Sequence, residues 1–177
     1  MPSQRTSSDD HRSPSSASDT RTDTVATEHS DGTPQTILVP IDGSDVASAA
    51  LDLALSLADG TDAIVHVLAV VDVTADPMRF DAALVSDLER AKERLVDEVV
   101  ATAADHDADV TGAVRRGRPA RTIVDYADER DIELIVLGRS GRSGISAPLL
   151  GSTADRVVRT ASTPVLIVPE ATADAKA

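Results

Sequence analysis

Five short apolar runs, each separated from the next by a stretch with helical spacing, constrain the fold of this chain more than any other feature. Residues 36–41, 63–71, 109–115, 132–137 and 165–168 read as strands. The second run is almost uninterrupted in apolar character, as expected of a strand covered on both faces. Between the first two, Ser44 is placed to cap a helix carrying Val46, Ala49, Ala50, Leu53, Ala54 and Leu57 at helical spacing, ended by Asp59-Gly60. Residues 81–106 predict a long helix with Leu84, Leu88, Ala91, Leu95 and Val99 inward and a charged opposite side that reads as a solvated face. Arg118-Pro119 opens a third helix with Ala120, Ile123, Val124 and Ala127 inward, and residues 152–160 form the fourth. Strand and helix alternating with crossovers of this length predict an α/β domain: an open parallel sheet with helices on both faces.

The domain is expected over residues 35–170. Residues 1–34 are so poor in apolar side chains that they are expected to be disordered, and 171–177 read as a frayed tail. The chain has no cysteine, which excludes a disulfide framework, a thiolate metal site and a cysteine nucleophile. It contains neither an apolar run long enough for a membrane span nor an apolar leader segment, so a cytoplasmic protein without membrane contact is expected. A formal charge of −13 argues against nucleic acid as a partner. Aspartate dominates the acids, and only Lys92 and Lys176 are lysines. Such a balance suits a cytoplasm of high salt, where screening removes self-repulsion; an ordinary acidic protein from a GC-rich genome is the alternative.

The fourth apolar run leads into Gly138, two residues, Gly141, nine residues, then Gly151-Ser152. These residues fill the turn from a strand's carboxyl end into a helix's amino end, where backbone N–H groups and the helix dipole favour an anion. Gly138 and Gly141 let the backbone approach a phosphate that a Cβ would push away. Arg139 and Arg142 bring positive charge, and Ser140, Ser143 and Thr153 bring hydroxyl donors. No Gly-Lys-Ser or Gly-Lys-Thr occurs, which excludes a Walker-type loop, and the spacing is not the dinucleotide fingerprint. A plainer account remains open: Ser152 to Asp155 has the spacing of a helix cap, and the glycines can be turn glycines. Asp42, directly after the first strand, is either a ligand-facing carboxylate or a turn aspartate in Asp-Gly-Ser-Asp.

The Gly-x2-Gly-x9-Gly-Ser pattern resembles the nucleotide-binding signature of the universal stress protein family, matched by Gly138, Gly141, Gly151 and Ser152. The resemblance extends to the Val39-Pro40-Ile41-Asp42-Gly43-Ser44 opening and to the Thr163-Pro164-Val165-Leu166-Ile167-Val168 close. It implies a Rossmann-like sheet of order 3-2-1-4-5, with a ligand crevice between strands one and four. It implies ATP or another adenine nucleotide as ligand, held by Pro40, Asp42, Val67, Gly138, Gly141, Arg142, Ser143, Gly151, Ser152 and Thr153. Asp42 would lie near the ribose and any nucleotide-bound Mg²⁺, and main-chain groups at Val67 would read the adenine edge. A homodimer through the edge strand Val165–Val168 is implied as well. The chain departs from the common family pattern at Arg139-Ser140, where a histidine is frequent, and this bears on nucleotide selectivity. The leading expectation is an ATP-binding regulatory, stress-response module with no catalytic residue. Slow ATP hydrolysis or phosphotransfer, and a nucleotide-independent dimeric interaction module, are the alternatives.

Overall fold

The computed structural model describes residues 32–73, 82–103, 106, 108–140 and 150–169. Residues 1–31 of the expected N-terminal tail, the C-terminal tail, most of the loop before the second helix, and Gly141, Arg142 and Ser143 lie outside the described residues. In chain order the elements are β1 (Thr36–Ile41), α1 (Asp45–Ala58), β2 (Ile64–Val71), α2 (Ala82–Ala103), β3 (Asp109–Arg116), α3 (Pro119–Glu129), β4 (Leu134–Gly138), α4 (Ser152–Thr160) and β5 (Val165–Val168). The five strands form one parallel sheet in the order β3-β2-β1-β4-β5, as expected from the sequence.

Alternation along the strands divides the core into two layers. Ile37, Val39, Val65, Val67 and Val136 pack against α1 and α2. Leu38, Leu68, Ile135 and Leu137 pack against α3 and α4 on the opposite face. Strand identities and bounds agree closely with expectation, but two helix faces do not. Helix α1 buries Ala47, Leu51 and Leu55 along with Val46, Ala50 and Ala54, and leaves Leu53 exposed. Helix α2 buries Val96 and Ala103, half-buries Leu95, Val99 and Val100, and exposes Leu84, Leu88 and Ala91.

The cause of the second difference lies in β3. A Cβ placed on Gly112 would sit 2.2 Å from Val96 Cγ1, so the glycine makes the hollow that Val96 fills and sets the rotation of α2. The first turns of α2 also overrun the sheet. Glu89 pairs with Arg116, the last residue of β3, so residues before Glu89 pass beyond the strand end and have no sheet to pack on.

Proline opens the sheet where the site forms. Ile64 N–H donates to the Gln35 carbonyl, so odd-numbered residues of β1 bond toward β2 and even-numbered ones toward β4. The β1–β2 register continues to Ile41↔Ala69, whereas β1 and β4 are in register only at Ile37↔Leu134 and Leu38↔Ile135. The next donor on the β4 side falls at Pro40, which has no N–H. Strands β1 and β4 therefore part company one residue after Leu38, and a crevice begins there.

The one buried histidine among the described residues lies away from that crevice in a structural pair. His66 Nδ1 is 3.1 Å from the Tyr126 hydroxyl, and both rings are buried between β2 and α3. Burial, and then the Arg130 guanidinium, lower the His66 pKa below its ordinary value near 6.5. The unfolded chain thus binds a proton that the folded one resists. This contribution to stability is complete above about pH 6.5 and is lost as pH falls from there through the depressed folded value. Urea midpoints measured between pH 7.5 and pH 5 are expected to fall, with a shallower decline in His66→Leu.

Candidate functional site

The crevice opens into a cavity of about 350 Å³ at the carboxyl ends of β1, β2 and β4, on the side of α3 and α4. Pro40, Ile41 and Asp42 form one wall, and Leu137, Gly138, Arg139 and Ser140 form the other. Leu68 and Val70 of β2 with Ile123 of α3 give it an apolar floor, while Ser44, Ser152 and Thr153 give a polar rim. Its size and its mix of apolar wall and few convergent polar groups are those of a small-ligand site.

The polar end has donors that the fold leaves without intrahelical partners. The N-cap of α4 is Gly151, with no side-chain cap, and the first helical bond runs from Asp155 N–H to the Gly151 carbonyl at 2.9 Å. The N–H groups of Ser152, Thr153 and Ala154 belong to the first turn and have no acceptor within the helix. All three residues line the cavity. The Ser-x-x-Asp capping pattern expected around Ser152 does not form: Ser152 is already helical, and Asp155 pairs with Arg159 at 3.0 Å. The loop is closed at its base, where Gly151 N–H donates to the Arg139 carbonyl at 2.8 Å and Arg139 N–H to the Val168 carbonyl at 2.8 Å.

Gly138 and Asp42 each have a packing or turn role beside their place on the cavity wall. The missing side chain of Gly138 faces α1, not a ligand: a Cβ there would lie 3.0 Å from Val46 Cγ1 and 3.1 Å from the Val46 carbonyl oxygen. A side chain at 138 would therefore press on α1, which would have to give by a few tenths of an ångström, and the residue also lines the cavity. Asp42 accepts from Ser44 N–H at 3.0 Å and from the Ser44 hydroxyl at 2.6 Å, and Ser44 caps α1. It thus serves as a turn aspartate and also contributes the only carboxylate among the described residues lining the cavity.

Val67 stands apart. It is fully buried on the α1/α2 face, in register with Val39 and Gly112. By the same alternation its main-chain groups belong to the ladder with β3, which continues to Gly117 N–H on the Val71 carbonyl. The β2 residues that reach the cavity are Leu68 and Val70. Sequence reasoning missed these two, along with Ser44, Ala47, Pro119, Ile123 and Leu137 as wall residues. Strand alternation points to Leu68 and Val70 once the face of β2 that carries α3 is known. Among the described residues no cluster of three metal-ligating side chains occurs, and no helix is long and apolar enough to cross a membrane.

Comparison with known proteins agrees with the fold. The model of the universal stress protein family matches residues 34–169. A universal stress protein of Methanocaldococcus jannaschii, MJ0531, is 36% identical over 137 residues, covering 75% of this chain and 80% of its own. A universal stress protein solved in complex with cAMP is 30% identical with a TM-score of 0.61, over 77% of this chain and 97% of its own. One from Archaeoglobus fulgidus, solved in complex with dAMP, is 25% identical with a TM-score of 0.56, over 76% and 97%. A parallel sheet parted at a proline, a glycine-bounded turn feeding an uncapped helix, and a family match over the whole described domain converge: the chain belongs to the universal stress protein family.

Proposed function

We propose that this protein is an ATP-binding regulatory module of its family, built around the domain at residues 35–170, and that the cavity is its nucleotide site. The observation that carries this reading is the uncapped first turn of α4 opening onto a cavity whose floor is apolar. A base lies against Leu68, Val70 and Ile123, and a phosphate meets the N–H groups of Ser152 and Thr153. Gly141, Arg142 and Ser143 belong to the proposed ligand set through the Gly-x2-Gly-x9-Gly-Ser pattern, and they lie outside the described residues. Relatives solved with cAMP and dAMP support an adenine nucleotide as the ligand class.

Asp42 is the group that would hold a nucleotide-bound Mg²⁺; its carboxylate also orders the turn before α1. Phosphoryl transfer needs a positioned base and neutralisation of the γ-phosphate, and this wall supplies one carboxylate and no lysine among the described residues. Turnover is therefore slow or nil. The decisive experiment titrates ATP with and without Mg²⁺ while phosphate release is followed. Binding that Mg²⁺ strengthens, with phosphate release no faster than without protein, is the expected result. Asp42→Asn keeps an acceptor for Ser44 and is expected to lose the Mg²⁺ effect while retaining the fold. Rapid turnover abolished by that substitution would make the protein an enzyme instead.

Two further properties belong to the same reading. Strand β5 pairs with β4 alone among the described strands and exposes Leu166, which suits a homodimer through Val165–Val168. The acid excess suits a cytoplasm of high salt. Raising KCl from 0.1 M toward molar concentration is expected to lift the melting temperature by roughly 4 °C or more, the shift that about 1 kcal/mol produces in a domain of this size. An unchanged melting point in dilute buffer would contradict the salt-adapted reading.

A further inference from the structure

A second hollow, of about 770 Å³, adjoins the nucleotide cavity and shares the walls Pro119, Ser152 and Thr153 with it. It runs between α3 and α4 as far as Thr160, so it follows α4 for roughly 12 Å from Ser152 at the helical rise per residue. Three arginines line it: Arg118 and Arg121 at the start of α3 and Arg156 from the middle of α4. In a chain with 30 acidic and 17 basic residues, that concentration of cations runs against the composition.

Among the described residues, two of these arginines are not neutralised by an acid. Neither Arg118 nor Arg156 makes an ion pair among the described residues. Arg121 reaches Asp125 at 3.4 Å with both side chains mostly exposed, a pair weak enough for a ligand anion to displace. Asp72 and Asp125 also line the groove, so it is set for an anion at its arginine positions and not for indiscriminate capture of negative charge. Guanidinium groups spaced along a channel hold phosphate oxygens in forked, charge-assisted hydrogen bonds.

We propose that this groove receives the far end of a nucleotide whose base occupies the cavity, the ligand class being a dinucleoside polyphosphate. The inference rests on the nucleotide reading of the cavity and adds an affinity for chain length to it. A mononucleotide with one phosphate ends at Ser152 and Thr153. A longer phosphate chain continues past them, over Arg118 and Arg156, and the second nucleoside lies along α4.

The test titrates the full chain with AMP and with diadenosine tetraphosphate at one fixed ionic strength. The parent protein is compared with the Arg118→Ser, Arg156→Ser double variant. The parent is expected to bind the dinucleotide about tenfold or more tightly than AMP, beyond the roughly twofold gain that two equivalent ends give statistically. The variant changes two exposed side chains, so its melting curve should match the parent's; it should bind AMP as the parent does and lose most of the preference. Equal affinities in the parent, or a preference that survives loss of both arginines, would overturn the groove while leaving the cavity intact. Failure of both nucleotides to bind the parent would overturn the cavity reading and this one with it.

Discussion

Val70→Trp is expected to weaken adenine-nucleotide binding by about tenfold or more, a loss of roughly 1.4 kcal/mol, and to leave the fold in place. Val70 lies near the carboxyl end of β2, half-buried, on the cavity floor beside Leu68 and Ile123. A larger ring there has an open side to grow into, and that side is the space proposed for the base. Aromatic residues suit strands, so the backbone has no cause to change. Val70→Ala serves as the control: it enlarges the floor and should reduce affinity far less. Calorimetric titration of both variants with ATP measures the contrast. Equal affinity in the parent and Val70→Trp would place the nucleotide somewhere other than this cavity.

The largest effect on stability is expected from Gly112→Ala. The backbone at Gly112 is ordinary for a strand, so the constraint is space and not conformation. An alanine Cβ would lie 2.2 Å from Val96 Cγ1 and 3.2 Å from Val100 Cγ2. Both valines are on a helix, where a β-branched side chain has one strongly preferred rotamer. Neither can swing aside cheaply, and α2 must lift from β3. Overpacking of this kind costs about 1–3 kcal/mol. The same substitution made in a Val96→Ala background should cost little, because the colliding methyl is gone. A double-mutant cycle by urea denaturation reads the coupling directly, and additivity within about 0.5 kcal/mol would show that the contact does not set the helix position.

These two positions also show where the sequence was legible. Apolar runs and turn residues identify every strand of the sheet, and their spacing predicts that it is parallel, because burial on both faces leaves a signature in composition. Helix faces were less legible. The inward side of α2 depends on a hollow at Gly112, and a glycine in a strand announces neither which residue will fill it nor from which helix. Leu84, Leu88 and Ala91 have the spacing of a buried stripe, yet the first two sit on turns that overrun the sheet, and Val96 and Ala103 mark the face that is buried. Helix α1 makes the same point, since the small side chains of Ala47 and Ala50 fit either face by pattern alone.

The candidate site was legible in its ends and not in its walls. Asp42, Gly138, Gly151, Ser152 and Thr153 are brought to one cavity because each lies at the carboxyl edge of the sheet or the start of a helix, which position in the chain reveals. Leu68, Val70 and Ile123 contribute as ordinary apolar residues, and only the packing of α3 over β2 distinguishes them from the rest of the core. The close approach of Gly138 to Val46 was also hidden, since it is a contact between elements distant in sequence.

The most direct test follows the backbone amide resonances of the labelled protein as AMP is added. Gly151, Ser152 and Thr153 should shift and saturate together, with Asp42 and Val70 moving alongside and with α2 and β3 unaffected. Saturable shifts confined to other elements, or none at millimolar nucleotide, would contradict an anion held by the first turn of α4.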